Sequence, residues 1–217
     1  MKLYKVRTSM FDYEDFKKLL SSLNKKLKKN ELHTKIFAIG GFAMMCNARA
    51  YDFESRGFSV DIDSYMNYSE KILKLVDEVS VEFGILSERW LNTHWHDRKE
   101  GFDENIESFS DWKWEKTADL VFSNIEFYYG NLEGLLKMKL SAIDEKLELD
   151  KLGVELGFSN APIGVSVRKN DLVDVKMILD FFDENDFDNI KQSKIAKMFA
   201  EYKLAVEFLK MEAKRLT

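Results

Sequence analysis

"IFAIGGFAMM" at residues 36–45 is followed by "GFSVDIDSYM" at residues 57–66. In the first stretch a short apolar strand, Ile36 to Ile39, ends on Gly40 and Gly41, which read as a turn ahead of a helix from Phe42 to Ala50. In the second, Phe58, Val60 and Ile62 alternate with Ser59, Asp61 and Asp63, the pattern of a strand with two distinct faces. Residues two apart on a strand point the same way, so the carboxylates of Asp61 and Asp63 are expected on one face with α-carbons roughly 6.5–7 Å apart. Two acids at that separation can converge on one hard cation. Mg²⁺ takes oxygen ligands, keeps several waters and is commonly held by one or two carboxylates plus substrate phosphate oxygens.

The glycines add the complementary half. A strand-Gly-Gly-helix connection allows close backbone approach and presents N–H groups at a helix start, where hydrogen bonds and the helix dipole hold a phosphate. Acids for Mg²⁺ and amides for phosphate suggest a nucleoside triphosphate site. The same residues are equally the pattern of a water-facing acidic pair and an ordinary turn. There is no G-x-x-x-x-G-K-[ST] loop, and Gly40-Gly41 is not a dinucleotide fingerprint.

The rest of the chain sets the frame. Its 217 residues suit one sizeable core with a helical appendage, and 45% hydrophobic against 33% charged residues predicts order nearly throughout. A net charge of −5 argues against broad, sequence-independent attraction to nucleic acid. The opening residues contain no long apolar segment and no stretch approaches a membrane span, so a cytoplasmic protein is expected. Cys46, the single cysteine, excludes an internal disulfide and reads as a small buried hydrophobe.

Phe16, Leu19, Leu20, Leu23 and Leu27 recur at helical spacing, which predicts an amphipathic helix over 12–29. Its end, "KKLKK" at 25–29, is either a solvated helix terminus or a phosphate contact. Ser69 is placed to cap a helix that runs to about Phe83 and stops at Gly84, with Ile72, Val76, Val79 and Phe83 inward. Strands are expected near 112–122 and 125–129, helices over 132–149, 171–183 and 191–215, and a short strand at Gly164 to Val167. Strands in the first part and helices in the last make the class α+β, with a core over 1–130 and a helical C-terminal part over 131–217.

On these residues the chain resembles the DNA polymerase β-like nucleotidyltransferase superfamily. "IGGFAMMCNARAYDFESRGFSVDIDSYM" is similar to its hydrophobic strand, diglycine, helix and Asp-x-Asp strand, although Ser59 occupies a usual threonine position and Arg56 lies one position too far upstream. "LEGLLKMKLSA" at 132–142 and "RKNDLVDVKMIL" at 168–179 resemble segments of the subgroup related to AbiEii-type toxins of type IV toxin-antitoxin systems. The resemblance implies a short mixed sheet flanked by helices and a Mg²⁺-dependent transfer of a nucleoside monophosphate from an NTP, such as ATP, to an acceptor hydroxyl. Asp61 and Asp63 would bind the metal; Gly40, Gly41, Arg56 and Ser59 would bind phosphate. Lys139 would stabilise triphosphate charge, and Asp171 or Asp174 would position Lys139 or the acceptor. The acceptor would be tRNA, a protein or a small molecule, with a cognate antitoxin as a further partner. The alternative is a catalytically inactive binding or regulatory protein on the same fold.

Helical geometry bears on the second block independently. Lys139 deviates by roughly 50° from the centre of the stripe Leu132, Leu136, Leu140, Ile143 and Leu147 and so leans inward, either to meet a ligand or to snorkel. Asp171 and Asp174 share a face with Ile178 and Phe182, where they either turn to the core or complement the helix dipole. The superfamily's third carboxylate has several candidates: Glu107, Asp111, Glu115, Asp119 and Glu126. His94 and His96 form a two-ligand metal pattern without a third histidine nearby, and Trp90, Trp95, Trp112 and Trp114 suit either packing or base stacking.

Overall fold

The computed structural model describes residues 10–66, 69–85, 90–92, 113–184 and 189–215. The chain divides into two compact units, Met1–Asn131 and Leu132–Thr217. The first is α+β and the second is helical.

In the first unit α1 (Tyr13–Lys29) leads into β1 (Thr34–Ile39), α2 (Gly40–Tyr51), β2 (Ile62–Met66), α3 (Glu70–Phe83), β3 (Leu91–Asn92), β4 (Trp114–Glu115) and β5 (Ile125–Gly130). The five strands form one mixed sheet in the order β3-β2-β1-β5-β4. β1 lies at its centre, antiparallel to β2 and parallel to β5, while β3 runs parallel to β2 and β4 antiparallel to β5. The register Ile36↔Met66, Ala38↔Ser64, Phe37↔Tyr65 and Ile39↔Asp63 assigns the two faces.

One face carries Ile36, Ala38, Ile62, Met66 and Phe127, all nearly solvent-free. Phe42 of α2 meets Phe127 edge-on at 5.8 Å and Phe16 of α1 at 4.7 Å, so helices α1 and α2 close this side through aromatic contacts. The stripe Phe16, Leu19, Leu20, Leu23 and Leu27 is buried throughout, as its spacing predicts. Asp12 caps α1 by accepting from the Asp15 amide at 2.8 Å, and Ser69 caps α3 by accepting from Ile72 at 3.4 Å. Gly84 ends α3 in the left-handed region, at φ +71°.

Several local expectations are corrected. Gly40 and Gly41 are the first two residues of α2, not a turn ahead of it. β2 begins at Ile62, and Phe58 and Val60 are exposed; Ser59 instead bridges to Phe11 through two backbone hydrogen bonds of 2.8 and 2.9 Å. The alternation therefore continues forward, through Ile62, Ser64 and Met66, rather than backward to Phe58. Phe83 is exposed at the end of α3, where the helix has passed the core. The strand expected over 112–122 is limited, among the described residues, to Trp114–Glu115.

The second unit comprises α4 (Leu132–Glu155), α5 (Lys169–Glu184), α6 (Asn189–Glu201) and α7 (Lys203–Arg215). α4 packs against α5 and α7. The segment Gly164 to Val167 is a turn, not a strand: the Gly164 and Ser166 amides donate to Asp150 Oδ2 at 2.9 and 3.2 Å, so α4 holds the loop through one carboxylate. The single helix expected over 191–215 is divided at Tyr202, although hydrogen bonds from Tyr202 N to Met198 O and from Val206 N to Tyr202 O carry the helical path across the division. No helix among the described residues is long and apolar enough to cross a membrane.

Candidate functional site

The carboxylates of Asp61 and Asp63 come together where β2 begins, between β1 and β3. Asp63 is paired with Ile39 on one side and with Asn92 of β3 on the other. The Asn92 side-chain amide donates to Asp63 Oδ1 at 3.1 Å and reaches Asp61 Oδ2 at 3.5 Å. One amide touching both acids requires that they point the same way. Both aspartates remain half-buried, which combines solvent access with a fixed direction. Asn92 carries no motif of its own, so nothing in the linear sequence marks it.

The diglycine is built against this pair. Gly40 adopts φ +66°, and a β-carbon there would lie 2.7 Å from Asp63 Oδ2. A β-carbon on Gly41 would lie 2.6 Å from Ser59 Oγ and 3.1 Å from an Arg56 guanidinium nitrogen. Glycine takes the backbone conformation at the first position without steric cost, and a β-carbon at either position would press on these side chains. The start of α2 is thereby brought against Asp63, Ser59 and Arg56. Five residues from two separated stretches, Gly40, Gly41, Arg56, Ser59 and Asp63, thus share one locality, with Asp61 joined to it through Asn92.

Chemically the locality offers two carboxylates, a helix N-terminus, a guanidinium and a hydroxyl. Mg²⁺ needs one or two carboxylates when phosphate oxygens and water complete its shell, and this donor set fits that requirement. Among the described residues no group of three or more His, Cys, Asp and Glu side chains is arranged to hold a metal by itself. His94 and His96 lie outside the described residues, as do Trp95, Trp112, Glu107 and Asp111.

The remaining candidates for a third carboxylate have other neighbours. The parallel register of β1 and β5 puts Glu126 beside Lys35, four residues from the Ile39 level at which Asp63 sits, about 13 Å along the strand. Its carboxylate lies 3.9 Å from Lys35 Nζ and accepts from the Tyr128 hydroxyl at 3.0 Å. Glu115 pairs with Tyr129 on the opposite face and accepts from the Tyr51 hydroxyl at 3.1 Å. Asp119 holds Arg49 at 2.8 Å. At the end of β5 the residue is Gly130, paired with Trp114.

Lys139, Asp171 and Asp174 form a buried cluster within the second unit. Lys139 Nζ lies 2.7 Å from Asp171 Oδ1 and 3.0 Å from Asp174 Oδ2, and Lys146 Nζ lies 3.5 Å from Asp171 Oδ2. The inward lean of Lys139 ends in an ion-pair network rather than at the surface. Lys146 had no sequence signal beyond its helical spacing from Lys139.

Other residues resolve to structural roles. Trp90 is buried and its indole N–H donates to the Val76 carbonyl at 3.4 Å, which makes it a core residue. Cys46 is enclosed, and burial pushes its thiol pKa far up, so it is no nucleophile. Within "KKLKK", Lys26 pairs with Glu78 and Glu82 of α3 at 3.6 and 3.4 Å.

No protein-family model matches the chain, and no curated protein matches it. Among solved structures it is similar to the crystal structure of an antigenic nucleotidyltransferase-like protein from Paracoccidioides brasiliensis, at 11% identity and a TM-score of 0.44, over 93% of this chain and 95% of that one. At that score the likeness carries no argument, and the functional reading rests on the side chains.

Proposed function

We propose that the chain is a Mg²⁺-dependent nucleotidyltransferase that moves a nucleoside monophosphate from an NTP to an acceptor hydroxyl. The observation that carries this reading is Asn92 in contact with both Asp61 and Asp63, beside a diglycine helix start that packs on Asp63. Asp61 and Asp63 would hold the metal; the α2 amides, Ser59 and Arg56 would hold the β- and γ-phosphates. When bound, Mg²⁺ neutralises the triphosphate and stabilises charge on the reacting oxygens. The acceptor oxygen bonds to the α-phosphorus as the bond to the α–β bridging oxygen breaks. Pyrophosphate leaves with the electron pair and the hydroxyl proton passes to water.

Lys139 already lies between two carboxylates, which favours a positioning role for Asp171 and Asp174 over direct contact with the acceptor. The acceptor classes, tRNA, protein or small molecule, and a cognate antitoxin are carried by the family resemblance alone.

A specific observation favours a second reading. With Gly130 at the end of β5 and Glu126 committed to Lys35, the usual third carboxylate is not supplied by β5, as expected of a protein that binds a nucleotide without transferring it. Incubation of the full chain with each α-labelled NTP, Mg²⁺ and total cell RNA and protein separates the two. Label that becomes covalent and depends on Asp61 supports transfer; nucleotide binding without label supports the inactive form.

A further inference from the structure

Exposed apolar side chains gather at one place in the second unit. Leu149, Leu152 and, one residue past the end of α4, Leu156 follow the i, i+3, i+7 spacing and form a stripe along one side of the helix, each of them exposed. Gly157 then turns the chain through the left-handed region, at φ +72°, and the Phe158 N–H donates back to the Gly153 carbonyl at 2.9 Å. Phe158 is 85% exposed beside the stripe, and Ile163 and Val165 follow at 52% and 65%. The loop that carries these last two is anchored. The Gly164 and Ser166 amides both donate to Asp150 Oδ2, and Gly164 lies so close to the Phe208 ring of α7 that no β-carbon fits.

At roughly 100 Å² each, the six side chains present on the order of 600 Å², the upper end of the largest apolar patch on a typical monomer. Each partner in a standard protein interface contributes ~800 Å², so this face supplies most of one side.

The stripe has two unlike flanks. Asp150 and the loop it holds lie on one side; on the other, at about 100° per residue, runs a row of exposed charges, Glu148, Lys151 and Glu155. The sign alternates along that row. Lys151 Nζ lies 3.8 Å from Glu155 Oε1.

We propose that this face pairs two copies of the chain across a two-fold axis, with the ends of α4 antiparallel. A two-fold interface sets the same patch against itself, and antiparallel helices then meet charged flank to charged flank and loop flank to loop flank. A crossing near Leu152 brings Leu149 of one copy to Leu156 of the other, and Lys151 to within one position of the second copy's Glu155. A row of one sign would repel itself there, whereas alternating signs are complementary to their own reversed copy. The nucleotide site takes no part in this pairing.

Sedimentation velocity of the full chain from about 1 to about 100 μM tests it, with a dimer Kd at or below about 10 μM expected for wild type. Leu149→Glu and Phe158→Glu, each checked for folding by circular dichroism, should raise the Kd about thirtyfold or more, because each brings two acids into the apolar centre. Lys151→Glu should raise it about three- to tenfold, and Lys151→Glu combined with Glu155→Lys should return it to within about twofold of wild type. A wild type that stays monomeric at about 100 μM overturns the proposal and leaves the face to an unlike partner. A dimer that both folded glutamate variants form as wild type does overturns it as well, since the contact then lies elsewhere on the chain. A double charge swap that dimerises no better than Lys151→Glu alone overturns the antiparallel arrangement.

Discussion

Gly40 and Asp63 are packed so closely that a methyl group on the glycine would lie 2.7 Å from the aspartate Oδ2. At φ +66° the glycine also occupies a conformation that costs other residues about 1–2 kcal/mol. Gly40→Ala is therefore expected to lower stability by about 1–3 kcal/mol and to displace the carboxylate. Urea denaturation reads the first effect. The second appears as a reduced thermal stabilisation by Mg²⁺ and NTP, and an alanine variant that responds like wild type would show that the contact is unimportant.

Asn92 donates to both aspartates and offsets their mutual repulsion. Asn92→Asp removes the donor and adds a third acid. The expected result is a loss of about 1–3 kcal/mol in EDTA with a larger gain in midpoint on adding Mg²⁺ than wild type shows. Calorimetric scans with and without the metal measure both. Equal behaviour of variant and wild type would separate Asn92 from the acidic pair.

The Lys139 cluster predicts a large effect in the second unit. Asp174 is 1% exposed and Asp171 6% exposed, so Lys139→Met leaves charge buried with its cation removed. Breaking such a pair costs about 3–5 kcal/mol, part of which Lys146 offsets through Asp171. Urea titration followed by circular dichroism gives the figure, and a loss below about 1 kcal/mol would mark the network as loosely held.

Asp150 links stability to pH. Burial raises its pKa, but hydrogen bonds from the Ser166 side chain and from the Ser166 and Gly164 amides outweigh that, and the net shift is downward. A carboxyl whose folded pKa lies below its unfolded value, about 3.9 for aspartate, contributes stability that is present above the unfolded value and is lost as pH falls through the folded one. Asp150→Asn should be less stable than wild type at pH 7, with the gap closing on acidification below about pH 4. Denaturation at a series of pH values checks it, and a gap that stays constant would assign the effect to shape rather than charge.

Sequence patterning resolved these elements unevenly, for physical reasons. The α1 stripe, the Ser69 cap and the Gly84 stop are local signals, and each lies where it was read. The alternation at 58–63 set Asp61 and Asp63 in one direction, as their shared contact with Asn92 has them, but misplaced the strand, because Ser59 pairs with Phe11, a contact no local pattern encodes. Asn92 and Trp114 belong to two-residue strands, too short for any periodicity, and owe their positions to pairing with Asp63 and Gly130. Glu126 reads as a candidate acid by alternation alone, and only the register shows it beside Lys35, four residues from the level of Asp63.

The most direct test of the account is the thermal midpoint of wild type and of Asp61→Asn with ATP, CTP, GTP and UTP in turn, in the presence and absence of Mg²⁺. A ligand bound only by the folded state raises the midpoint, by the equivalent of about 2.7 kcal/mol at a hundredfold excess over its Kd. The account predicts a Mg²⁺-dependent rise for wild type with at least one NTP, and its loss in a folded Asp61→Asn protein. No rise with any NTP, or an equal rise in the variant, would contradict the assignment of Asp61 and Asp63 to a nucleotide-bound metal.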